Sequence, residues 1–451
     1  MFKGVFGPLF LFQSWPYSCR NARLVWPQNK DAGQGVTQQE HGQQQVRKRR
    51  VFYIPGYDPI HPRRYRELYR KEGTAQAGIS GYSLSLSPKQ TKGPYGWHVV
   101  SEMEGRRTEA DIEVLVWSDI VRGSMEATIP GTYWQLLRTA WIYISTGALR
   151  RLMRLRKGPV IAALYPVGML LLQAFLALLL AWGVAYAFGA VAGPAGLSGP
   201  VALAIGWVLG LGCGYALLRW FKKRDGKFFA YYLMHDYAHS AASRGAIPPE
   251  MEARMREFRA LISEALQDPD LDEVLVAGHS SGAHVGVSVL ADLIRAGLPL
   301  NRPALGFLTL GQVVPMVSFL PRAERLRADL QYLSQRHELA WVDVTAPGDG
   351  CAFALCDPVS VSGVAVEGKR WPLVFSAAFT QTLSPERWQQ LRWRFFRLHF
   401  QYLCAFDRPG DYDYFRITAG PLTLAERYKD RKPSQSRIDA AVSKFTSVVA
   451  E

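Results

Sequence analysis

Hydrophobic positions change their period along this chain, and three regimes follow. Short runs rich in Val, Ile, Leu and aromatics recur between Gly, Pro and Asp: residues 51–54, 112–117, 274–277, 306–310, 339–344 and 373–376. Runs of this length and composition predict buried strands. Helical spacing lies between them, from about Arg63 to Lys71, from about Phe228 to Gln267, and at Val285, Val289, Leu290, Leu293 and Ile294. Alternating strand and helix signals predict an α/β fold, a doubly wound and mostly parallel sheet.

The third regime is continuous. From Gly158 to Leu218 no residue carries a charge. One bilayer crossing needs about 20 apolar residues, so this length holds two spans and a turn. Residues 193–200 (Gly-Pro-Ala-Gly-Leu-Ser-Gly-Pro) supply the turn, leaving spans at roughly 162–191, tilted or starting late, and 201–218. Arg150, Arg151, Arg154, Arg156 and Lys157 precede the hairpin, and Arg219, Lys222, Lys223, Arg224 and Lys227 follow it. Basic flanks on both sides predict two spans with the soluble domain and both termini cytoplasmic. Gly206, Gly210 and Gly214 recur every fourth residue, which suits close helix contact, either with the first span or with another copy in a homo-oligomer.

Neither soluble flank has enough strands for a sheet of its own, so the hairpin reads as an insertion into one domain. The organisation expected is residues 1–48 disordered, 49–149 the first part of the domain, 150–227 the hairpin with its basic flanks, 228–420 the second part, and 421–451 a polar tail. The net charge of +15, from 53 Lys+Arg against 38 Asp+Glu, flanks the apolar segment in large part and so calls for a bilayer rather than nucleic acid as partner. The run Arg47-Lys48-Arg49-Arg50 offers a further contact to anionic lipid. Five cysteines without a C-x-x-C pair point to reduced thiols rather than a disulfide framework.

Candidate chemistry centres on Gly278-His279-Ser280-Ser281-Gly282, between the 274–277 strand and the helix that follows. A serine on a tight strand-to-helix turn needs glycine two residues to either side, where the backbone folds back with no room for a Cβ. Its hydroxyl then projects from the sheet edge, beside the N-terminus of the helix.

On this elbow and this strand order, residues 50–120 and 228–405 resemble the α/β-hydrolase superfamily. The resemblance implies a serine hydrolase with an acyl-enzyme intermediate, needing no metal or cofactor. It also implies an acid after a later strand and a histidine after the last one. His399 follows the last strand; its other reading is a histidine satisfied within an amphipathic helix. For the acid, Asp349 fits best, with Asp357 and Asp343 as alternatives. The oxyanion donors implied are the backbone N–H of Ser281 and that of Tyr57 or Gly56, with His279 shaping the turn. The chain departs from the commonest pattern in its inserted hairpin and its Pro55-Gly56-Tyr57 loop.

Two other constellations carry weaker chemistry. His235 and His239 stand at i and i+4, a metal-ligand spacing without a third ligand downstream. Arg63, Arg64 and Arg66 either attract an anionic head group or form a solvated helix face. The expected function is membrane-anchored hydrolysis of an ester or thioester, lipid-like in substrate. A non-catalytic membrane scaffold on the same fold is the alternative, and an acyltransferase remains open.

Overall fold

Every predicted strand joins one eight-stranded sheet, in the order β2-β3-β4-β1-β5-β6-β7-β8, in a computed structural model that describes residues 45–89, 91–125, 127–193 and 196–449. The strands are β1 (Lys48–Ile54), β2 (Ser83–Pro88), β3 (Gly96–Met103), β4 (Arg106–Val114), β5 (Glu273–His279), β6 (Ala304–Leu310), β7 (Ala340–Thr345) and β8 (Leu373–Ser376). β1 lies between β4 and β5 and pairs in parallel with both, so the two soluble flanks of the hairpin share one sheet. The sheet is mixed rather than wholly parallel, because β2 and β3 add an antiparallel hairpin at one edge. The hydrophobic pattern does not predict those two strands. β2 reads Ser-Leu-Ser-Leu-Ser-Pro, an alternation half-exposed on an edge, with no buried run to announce it.

Alternation along β1 shows how the core forms. Val51 and Tyr53 enter the apolar cluster on one face, with Tyr65, Leu68 and Tyr69 of α1 (Arg63–Ser80). Phe52 and Ile54 enter the cluster on the other, which α7 (Pro249–Ala265), α8 (Gly282–Arg295) and α9 (Glu324–Ser334) cover. Burying each such side chain contributes roughly 1.5–3 kcal/mol.

Between β4 and β5 run α2 (Ile129–Ser145), α3 (Ala148–Leu155), α4 (Lys157–Ala192), α5 (Gly199–Lys223) and α6 (Ala230–Ala242). α4 and α5 are long and apolar enough to cross a membrane. α4 has 36 residues, about 54 Å at 1.5 Å each, well beyond a hydrocarbon core of ~30 Å. Its first turns dock on the body instead: Val160, Pro166 and Leu170 are buried, and Tyr133 Oη donates to the Leu170 carbonyl at 2.9 Å. Beyond Leu170 most of its large apolar side chains are exposed, beginning with Leu171 and Leu172.

The glycine stripe packs against the first span. A Cβ on Gly206, Gly210 or Gly214 would lie 3.0, 2.2 or 2.7 Å from the carbonyl oxygen of Ala185, Ala181 or Ala177. Small residues on both helices bring the backbones together, so within one chain the stripe is taken up by α4.

Both termini of the domain depart from expectation. Residues 1–44 lie outside the described residues, but Val46 is buried and β1 already begins at Lys48. Half of the basic run is withdrawn from the surface, while the Arg47 and Lys48 side chains stay exposed. Arg49 is fully buried, ion-paired with Glu273 and donating to the carbonyls of Gly420 and Leu422, while Arg50 pairs with Glu113. Residues 421–449 are not a detached polar tail either. Leu424 N–H donates to Glu273, and Ile438 exchanges backbone hydrogen bonds with Leu355 and Asp357.

Candidate active site

Ser280 occupies the turn between β5 and α8 with φ +56°, a left-handed conformation that an L-residue holds only under constraint. Three glycines provide that constraint. A Cβ on Gly282 would sit 2.1 Å from the Ile54 carbonyl oxygen, and one on Gly278 would sit 2.7 Å from that of Gly282. Gly56, in the loop after β1, lies directly over the serine: its Cβ would stand 2.9 Å from Ser280 Cβ and 3.4 Å from Oγ. Ser280 N–H donates to Leu310 O at 2.9 Å, tying the turn to the end of β6.

Asp349 lies on the turn after β7 and His399 ends the short helix α10 (Phe395–His399). They meet: His399 Nδ1 is 2.7 Å from Asp349 Oδ2. A carboxylate only accepts, so Nδ1 carries the hydrogen and Nε2 is left as the basic nitrogen. Asp349 is held by further donors, Tyr402 Oη on Oδ2 at 3.0 Å and Cys351 N–H on Oδ1 at 2.8 Å. Tyr402 Oη in turn accepts from Ala346 N–H at 2.9 Å.

The imidazole is fixed from the serine side by His279. Its ring lies 4.8 Å from that of His399, and its Nε2 donates to the His399 carbonyl at 3.0 Å. Nδ1 of His279 then accepts from Tyr53 Oη at 3.3 Å. Burial, and next the charge of His399, push His279 down to about 3, so it stays neutral. Gly311, at φ +53°, makes room for the same ring: a Cβ there would lie 3.0 Å from His399 Cε1. Ser280, hydrogen-bonded to Leu310, and His399, packed on Gly311, therefore both lie at the C-terminal end of β6. Among the described residues no hydrogen bond joins Ser280 Oγ to His399; such contacts are often long before substrate binds.

The other two carboxylate candidates serve elsewhere. Asp343 is buried inside β7, accepts from Thr309 Oγ1 at 2.6 Å, and is raised to about 8 by burial. Asp357 accepts from the N–H groups of Val359 and Ser360 and pairs with Lys369.

The oxyanion loop is partly as expected. Tyr57 N–H is spent on Ser281 Oγ at 2.8 Å, which removes it as an oxyanion donor in this state. Among the described residues the N–H groups of Ser281 and Gly56 have no protein acceptor. Those two N–H groups, one next to Ser280 in the chain and one in the loop over it, are left unspent.

The helices flanking the hairpin cover this edge. Tyr232 of α6 donates to the Tyr57 carbonyl, and Gly158 at the start of α4 packs on Gly350, next to Asp349. Between α6, α7 and α8 lies a narrow, partly open cleft whose lining includes Tyr57 and Ser281 together with Met251, Met255, Val317 and Leu326. Asp236 of α6 lines it too; burial raises its carboxyl to about 7, and the charge of His399 acts in the opposite direction. The sequence motif around it points to the histidines, whereas the aspartate between them is the one whose carboxyl feels the charge of His399. His235 is turned away, with its Nδ1 2.8 Å from Gln135 Oε1, and His239 lies against Tyr57. The pair therefore serves no shared ligand. Among the described residues the one set of three ligand-type atoms within 4.8 Å of each other is Asp349, Cys351 and His399, the acid–base pair itself with a thiol beside it. Arg64 pairs with Asp58 at 3.2 Å and lies over the Phe400 ring, bracing the segment that carries His399.

No family model matches the chain, and neither a curated protein nor a solved structure does. The case for a function therefore stands on this geometry. Tyr402, Gly311 and Asp236 had no signal in the sequence, since each acts through contacts between distant segments.

Proposed function

We propose that the chain is a membrane-anchored serine hydrolase of the α/β-hydrolase kind that cleaves an ester or thioester of a lipid-like acyl group. The observation that carries this reading is the 2.7 Å contact of His399 with Asp349, held at the sheet edge where Ser280 is forced to φ +56°. An imidazole oriented by a buried carboxylate beside an outward-turned hydroxyl is the arrangement that makes serine nucleophilic.

Ser280 Oγ attacks the substrate carbonyl carbon as His399 Nε2 takes its proton. The N–H groups of Ser281 and Gly56 hold the oxyanion, a contribution typically worth ~3–4 kcal/mol per donor. His399 returns the proton to the leaving oxygen or sulfur, and an ester links the acyl group to Ser280. Water, activated by the same nitrogen, releases the acid. The apolar cavity beside Ser281 suits the acyl chain. The two apolar helices anchor the domain, and their basic flanks favour a cytoplasmic position for the catalytic body.

A fluorophosphonate probe tests the reading. Wild-type protein in mild detergent should be labelled, and Ser280→Ala, His399→Ala and Asp349→Ala should lose nearly all of it. Absence of labelling in the wild type, with the fold intact by circular dichroism, would leave the scaffold reading in its place.

A further inference from the structure

The hairpin is not the only exposed apolar surface. α2 presents Trp134, Leu137, Trp141 and Ile144, each 60–69% exposed. Their spacing of three, four and three residues places them within an arc of about 80° at 100° per residue. The helix is firmly seated on its other face. Leu136, Thr139 and Ile142 are buried there, and Tyr143 Oη donates to the Met316 carbonyl at 2.9 Å. Two tryptophans and two branched aliphatics held rigidly outward are more than scattered surface apolar residues. The surface also continues along the chain: Ile161, Leu164 and Tyr165 are exposed on the part of α4 that docks on the body.

We propose that the outward face of α2 is a lipid-contact surface, seated at the boundary between head groups and acyl chains of an anionic bilayer, and that it holds the mouth of the active-site cavity at that level. This rests on the reading of the hairpin as a bilayer anchor and extends it to the catalytic body. Tryptophan and leucine on one face with arginine beside them is the pattern of an interfacial helix. Arg138 borders the stripe, and Arg150 and Arg154 are exposed on α3 immediately after it. These cations favour lipid phosphates over a second copy of the chain, which would bring the same arginines against them.

Arg138 has a second position. With Glu250 and Arg322 it lines an outer cavity whose walls His239, Ala246, Ile247 and Pro248 are shared with the inner apolar cavity. Ser281 is part of the inner cavity's wall. An acyl lipid leaving the bilayer beside α2 thus meets cations at the mouth for an anionic head and an apolar interior for its tail. The substrate class this selects is a membrane-resident acyl ester with an anionic head.

Tryptophan fluorescence tests the placement in the full chain, reconstituted in phosphatidylcholine–phosphatidylglycerol vesicles whose acyl chains are brominated near the glycerol or near the methyl end. The wild-type signal minus that of Trp134→Phe/Trp141→Phe isolates the α2 tryptophans. It should be quenched most by bromine near the glycerol and be shielded from aqueous acrylamide. The difference with Trp182→Phe/Trp207→Phe reports the hairpin in the same vesicles. Hairpin tryptophans quenched by bromine while those of α2 respond only to acrylamide overturns the proposal and leaves the anchor standing. If neither pair is quenched by bromine, both readings fall. Shielding of α2 from bromine and acrylamide alike would show a protein partner there, and also overturns it. As a functional arm, Leu137→Glu/Trp141→Glu should lower the rate on a vesicle-embedded anionic ester by about tenfold and leave that on a short soluble ester unchanged. Equal rates of the variant and wild type on both substrates would count against it.

Discussion

The elbow around Ser280 and the crossing of the two apolar helices are built by the same device and used for opposite ends. In each, glycines let one backbone rest on another. At the elbow the nearest atom to a Cβ on Gly282 is the Ile54 carbonyl oxygen at 2.1 Å, and in the hairpin the nearest to one on Gly210 is the Ala181 carbonyl oxygen at 2.2 Å. The hairpin repeats its contact along two similar helices, so the error at one rung can be absorbed by a small tilt. The elbow makes its contacts once, among strand ends and a helix fixed by the whole sheet, and one of the residues so fixed is the nucleophile proposed above. Equal crowding should therefore have unequal consequences.

The sharpest break of this comparison is the pair Gly282→Ala and Gly210→Ala. In the first, the methyl meets the carbonyls of Ile54 and Pro55, neither of which can move without shifting β1. A loss of about 3 kcal/mol or more is expected, at the severe end for overpacking, together with loss of probe labelling. In the second, the hairpin helices part locally while the body keeps its melting transition and its labelling. Thermal unfolding and labelling of both proteins check this. If Gly210→Ala silenced the serine as fully as Gly282→Ala, the two regions would not be independent.

Gly56→Ala separates chemistry from stability within the elbow itself. Its methyl would meet Ser280 Cβ at 2.9 Å and the His279 carbonyl oxygen at 3.3 Å, milder clashes in a loop. Stability should fall by only about 1 kcal/mol, while displacement of the serine and of the Gly56 N–H lowers kcat by about a hundredfold. Retention of full kcat would remove Gly56 from the oxyanion site.

The two regions also differ in how far the sequence disclosed them. The period-four glycines were legible because a helix turns local spacing into a shared face, and only their partner was open. Ser280, with glycines two residues either side, was legible for the same reason. The acid–base pair was recovered from chain order, but order alone could not separate Asp349 from Asp343 or Asp357. What separates them is which donors each collects: Asp357 has as many, from Val359, Ser360 and Lys369, but only Asp349 meets His399, 50 residues away. The edge hairpin β2–β3 escaped because its alternation faces partly to solvent. Arg49 misled because a basic run reads as surface, whereas its buried partner Glu273 stands on β5, 224 residues on.

Acid should strike the sheet-bearing body, where buried histidines are held neutral. Burial first, then a neighbouring charge, lowers His235 to about 4, His279 to about 3 and His284 to about 4. Each has a folded value below its unfolded value of about 6.5, so the unfolded chain binds protons first. The stability they contribute is complete above pH 6.5 and is lost as pH falls toward 4, at ~1.4 kcal/mol for each tenfold weakening of proton affinity on folding. The urea midpoint should drop steadily over that window, and less steeply in His284→Gln. A flat midpoint from pH 6.5 to 4 would show that these rings accept protons without opening the fold.

The smallest effect expected is also the one that isolates what makes Asp349 different from its neighbour on the same strand end. Asp343 has one donor, Thr309 Oγ1, and its Oδ2 has no partner. Burial therefore raises it to about 8, and the charge of Asp357 adds to the rise. Its folded value lies above the unfolded one, so the stability of its neutral form is whole below about pH 4 and is lost as pH climbs through 8. Asparagine has the same shape, keeps the acceptor for Thr309 and cannot ionise. Asp343→Asn should be near neutral in stability at pH 4 and increasingly stabilising as pH rises to 8, by at least about 1 kcal/mol there, with probe labelling preserved. Asp349→Asn should do the reverse, with a small change in the urea midpoint and loss of labelling, because the amide cannot hold His399 in the tautomer that leaves Nε2 basic. If the labelling loss fell on Asp343 instead, the acid of the site would have to be reassigned to the strand interior.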